Sequence, residues 1–141
     1  MNITKTQFRW LVTASLIAAI GSAVVSFALE SRLPPPLRDY VIAQEEAPFT
    51  TQDVAILIVG ILLLIVWIIS IIGLYCFWPI VRPLTVFAWL AMLVLQMFMG
   101  LSIDFAVTQS FVELDALLGG IIIAVIYLSP AAVWFDKQPA A

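Results

Sequence analysis

The chain has 141 residues, 64% of them hydrophobic and 11% charged, with a net charge of −3. Soluble domains carry about a quarter charged residues, so this composition excludes an ordinary water-soluble fold and sets a ceiling of one compact domain. There is no histidine and one cysteine, Cys76, which excludes His-ligated haem and zinc, the Ser-His-Asp and Cys-His catalytic arrangements, and an intramolecular disulfide.

A spanning helix needs roughly 20 apolar residues, and four stretches qualify: residues 10–29, 54–78, 84–103 and 111–135. Period-2 alternation is absent, so these are helices rather than barrel strands. The first stretch invites a second reading as a signal peptide, with Lys5 and Arg9 ahead of it and Ser26-Phe27-Ala28 resembling a cleavage site. Its apolar run is longer than a usual signal core, and we expect it to stay as a spanning helix. Small residues recur at every fourth position along it, at Ala14, Ala18, Ser22 and Ser26. Such a stripe lets helix backbones approach closely, within the bundle or against another subunit.

The longest connection, residues 30–52, is stopped at once by Pro34-Pro35-Pro36. Residues 37–46 are predicted to form a short helix with Leu33, Leu37, Tyr40, Val41 and Gln44 on one mostly apolar face. It would rest on the rim of the bundle or dock a partner. Thr50 or Thr51 followed by Asp53 suits the start of the second spanning helix. Pro79-Ile80-Val81-Arg82-Pro83 reads as a tight turn, with Pro83 in the first turn of the third. That turn makes the second and third helices antiparallel neighbours. Counting outward from Val81 sets Trp67 and Gln96 at similar depth, so the two are expected to pair across the helices, because neither polar group is tolerated in lipid unpartnered.

Ser110-Phe111-Val112-Glu113 reads as a capping box opening the fourth helix. Asp53, Asp104, Glu113 and Asp115 would then all sit at helix ends as an acidic rim, serving as helix-start charges or, if they converge, as oxygen ligands for a divalent cation. Ala116, Gly120 and Ala124 repeat the small-residue stripe on the fourth helix. Pro130 is expected to kink or end that helix, beside Tyr127 and Ser129.

Lys5, Arg9, Arg82 and Lys137 fall on one side of such a four-helix arrangement, and Arg32 and Arg38 on the other, diluted by carboxylates. Phe8, Trp10, Tyr75, Phe77, Trp78, Trp134 and Phe135 gather at the same level as the first group. Both patterns mark that side as cytoplasmic. The expectation is an all-α integral membrane protein: a four-helix transmembrane bundle with both termini cytoplasmic, in a bacterial inner membrane. With no ionised side chain expected in the middle of a span, proton coupling through an intramembrane carboxylate is not expected. Function is then read as a non-catalytic helical subunit or accessory protein of an inner-membrane assembly, with a small transporter or channel component acting as an oligomer as the alternative. No enzyme activity, cofactor, metal or nucleic-acid partner is expected. The lipid bilayer and another membrane protein, or a second copy of the chain, are the expected partners.

Overall fold

A computed structural model describes residues 3–30, 32–45, 48, 50–98 and 105–136. It is all-helical, with no strand among the described residues. The helices are α1 (Lys5–Glu30), α2 (Pro35–Glu45), α3 (Thr51–Cys76), α4 (Val81–Gln96) and α5 (Ala106–Leu128), followed by a 3-10 helix, Pro130–Phe135. Helices α1, α3 and α5 are long and apolar enough to cross a membrane, and α4 is a shorter apolar helix.

Local chemistry sets most of the boundaries. Thr4 and Gln7 cap the start of α1 reciprocally: the Gln7 N–H donates to Thr4 Oγ1 at 3.2 Å and the Thr4 N–H to Gln7 Oε1 at 2.9 Å. Pro35 and Pro36 occupy the first turn of α2, where a missing N–H costs nothing. Of the face predicted for α2, Leu37 is exposed and Leu33 and Val41 are half-buried, while the side chains of Tyr40 and Gln44 lie outside the described residues. At α3, Thr50 and Asp53 form a capping box. Ser129 closes α5: its hydroxyl donates to the Val125 carbonyl at 2.7 Å and accepts from the Ala131 N–H at 3.1 Å. Pro130 supplies no N–H to the Ile126 carbonyl, and with Ser129 bonded to both sides of the break the chain ends one helix and starts a tighter one there.

The start of α5 departs from expectation. The helix begins at Ala106, behind an N-cap Phe105 that makes no side-chain cap, rather than at a Ser110–Glu113 capping box. Ser110 instead donates back to the Ala106 carbonyl at 2.9 Å, the bond a hydroxyl makes inside a helix, and Glu113 accepts from Gln109. Asp115 therefore stands near the middle of the helix, not at its end.

Packing is strongest between α1 and α5 and next between α3 and α4. The α1–α5 pair is antiparallel, with Gly21 against Phe111 and Ser15 bonded to Asp115. Helix α3 ends in a Schellman turn: Phe77 adopts a left-handed conformation, φ 56, and the Trp78 N–H reaches the Gly73 carbonyl at 2.9 Å. Gly73 permits the tight return, because a Cβ there would lie 2.9 Å from Val81 Cγ2. The main core draws on α1, α3, α4, α5 and the 3-10 helix, including Phe8, Leu74, Val81, Ile126 and Phe135.

Candidate functional site

Among the described residues, one partly buried carboxylate lies well inside a helix that could cross a membrane. Asp115 is half-buried on the α1 side of α5 and accepts a hydrogen bond from Ser15 Oγ at 2.5 Å. Gly119 stands one turn further along on the same face. A Cβ at Gly119 would overlap the Trp89 indole, so the missing side chain is what lets that ring lie flat on α5 beside the carboxylate.

Asp115 and Trp89 open onto a cavity of about 210 Å³ between α3, α4 and α5. Asp115 and Gln96 supply its polar side chains, and Trp67, Trp89, Met92 and Leu93 wall it. A smaller cavity of about 30 Å³ adjoins it, sharing Trp67, Ala88 and Trp89 and lined further by Ser15, Ser70 and Thr85. The Ser70 hydroxyl is used internally, donating to the Val66 carbonyl at 2.9 Å. Thr85 Oγ1 is buried without a partner. A void of that size accepts a water, which needs polar neighbours such as these.

Trp67 and Gln96 thus share one cavity wall, but among the described residues no hydrogen bond joins them. The reason is register. The turn closes with Val81 against Gly73, and Gly60 faces Leu95, so Trp67 is level with Ala88 and Gln96 lies about two helical turns beyond it. Gln96 is exposed at the last residue of α4.

The remaining candidates scatter. Asp53 caps α3, Glu113 is exposed on a different face of α5 from Asp115, and Asp104 lies outside the described residues. Among the described residues no three His, Cys, Asp or Glu side chains group to hold a metal ion. On α1, Ala18 is buried, Ser22 and Ser26 are half-buried, and Ala14 is exposed. The α5 stripe of Ala116, Gly120 and Ala124 faces outward, and a Cβ at Gly120 would meet nothing within 4 Å. Ser15, Trp89 and Gly119 are site residues that sequence reading missed. Gly119 neighbours the predicted Gly120, but only the facing tryptophan tells the two apart. No protein-family model matches the chain, and it matches neither a curated protein nor a solved structure.

Proposed function

We propose that this chain is a non-catalytic integral membrane protein that works as a small transporter or channel component, acting as an oligomer, through the cavity at Asp115. The observation that carries the reading is the carboxylate itself, seated midway along α5 and facing a cavity. A charged group at the centre of a spanning helix costs about 2.5–3.5 kcal/mol on insertion scales and is found where ions, protons or ligands are handled. In this reading α4 belongs to a fourth crossing, and both termini are cytoplasmic in a bacterial inner membrane. The basic residues Lys5, Arg9 and Arg82 support that orientation. A reporter fused after Gln138 is expected to be active only in a cytoplasmic format, and one within residues 34–48 only in a periplasmic format.

The deciding experiment is accessibility. In a Cys76→Ser background, Gln96→Cys and Met92→Cys should react in intact cells with a charged, membrane-impermeant thiol reagent. Reaction with permeant reagents alone would overturn the proposal, because the cavity would then have no aqueous path.

A second reading, an accessory subunit of an inner-membrane assembly, draws support from the outward face of Ala116, Gly120 and Ala124, which the chain itself leaves unpacked. Native mass spectrometry after gentle detergent extraction separates the two. A homo-oligomer favours the first reading, and a different stoichiometric chain the second.

A further inference from the structure

We infer that the cavity at Asp115 binds a small alkylammonium cation, with the carboxylate as counter-charge and the indoles of Trp67 and Trp89 as aromatic walls. The inference rests on reading this cavity as the working site. It begins with the partners of the carboxylate. An ionised carboxylate can accept about four hydrogen bonds, and among the described residues Ser15 supplies its partner, a neutral one. Among the described residues no cation pairs it. Lys5 and Arg9 lie over the Phe77 ring and Arg82 over Phe135, with Arg82 bonded to Asp136 at 2.9 Å. The described cations Lys5, Arg9 and Arg82 are therefore engaged at the aromatic end of the bundle, and none of them supplies the carboxylate's countercharge.

The walls decide which cation. A hard metal ion takes six or more oxygen ligands, whereas this cavity offers one carboxylate and one amide among tryptophan, methionine and leucine side chains. Its volume of about 210 Å³ holds several waters at about 30 Å³ each or one small organic group. Indole is the best of the aromatic faces for a cation and prefers one that is weakly hydrated, as an alkylated ammonium is. Gly119 fixes the geometry, since it seats the Trp89 ring one helical turn from the carboxylate. Charge, wall chemistry and size therefore agree on a single ligand class.

The test uses the full chain in phosphatidylglycerol nanodiscs, whose headgroups carry no ammonium, with choline as the probe and calorimetry and tryptophan fluorescence as readouts. Saturable binding is expected, weakened about tenfold or more by Asp115→Asn and by Trp89→Leu. Because either variant can disturb packing, the unaltered chain is also challenged with the uncharged isostere of choline, in which a tert-butyl group replaces trimethylammonium. That isostere should compete poorly. Equal competition, or no choline binding by the unaltered chain, would overturn the inference. Impermeant labelling at Gln96→Cys without choline binding removes the ligand class alone, and choline binding without labelling removes the transport reading alone.

Discussion

Where α1 begins and the 3-10 helix follows α5, four rings interlock. Phe8, Phe77, Trp134 and Phe135 stand with centroids between 5.4 and 6.4 Å apart, most of them edge to face. Toward the other end α3 and α4 leave between them an apolar groove of about 620 Å³ lined by side chains such as Ile56, Val59, Leu90 and Val94. Both regions are equally greasy, yet only one is closed. In lipid, burying apolar surface gives little advantage over leaving it in acyl chains, so shape and close contact decide where helices lock. Rings contributed by three different segments can interdigitate, whereas the facing aliphatic side chains of α3 and α4 leave space between them. The polar cavity lies at the same level as the groove, on another face of α4.

The largest expected effect comes from breaking the locked end. Phe8 is fully buried, and Phe8→Ala should cost about 3–5 kcal/mol in reversible unfolding from mixed micelles. Val59→Ala, on the groove wall and 45% exposed, should cost within about 0.5 kcal/mol. Equal losses would abolish the distinction between the two ends.

Two adjacent glycines sharpen it. Gly119→Ala forces a methyl into the Trp89 indole and should cost about 1–3 kcal/mol, read by the same unfolding assay and by a change in tryptophan emission. Gly120→Ala meets open space and should be neutral or stabilising by about 0.5–1 kcal/mol, the usual gain in helix propensity. The smallest contrast compares two exposed carboxylates, one at a helix start and one within a helix. Asp53→Ala should cost about 0.5–2 kcal/mol because Asp53 completes the α3 capping box, while Glu113→Ala should stay within about 0.5 kcal/mol. A loss at Glu113 matching that at Asp53 would restore a helix start near Ser110.

The elements legible in sequence were those whose signals are local. The proline run before α2, Thr50 with Asp53 before α3, and Pro130 after α5 each act through their own backbone neighbours, and each boundary stands within a few residues of its signal. The α5 start was misread because Ser110 and Glu113 satisfy a capping pattern that the chain does not use. A capping pattern marks where a helix is able to begin, and five more residues proved compatible with helix. That slip carried Asp115 from the helix middle to its edge and so hid the site. The pairing of Trp67 with Gln96 failed for a different reason. Depth was counted symmetrically about Val81, but the Schellman turn closes between Gly73 and Val81, and no local pattern reports where two helices will touch. The Ser15–Asp115 bond joins residues 100 positions apart and was equally invisible.

Phe77 carries a consequence for the order in which the molecule is made. A non-glycine residue in the left-handed region is strained by about 1–2 kcal/mol; the bonds from the Phe77 and Trp78 N–H groups to Leu74 and Gly73 hold it there, and its ring packs against Phe8, Trp134 and Phe135. Synthesis delivers Phe8 before Phe77 but Trp134 and Phe135 only after α4 and α5 have been made. Until then the hydrogen-bonded turn and the Gly73–Val81 contact hold the α3–α4 hairpin without its full ring cluster. The register is thus set early and locally, and a chain truncated before Pro130 is expected to keep the Phe77 turn while losing the rings that close around it.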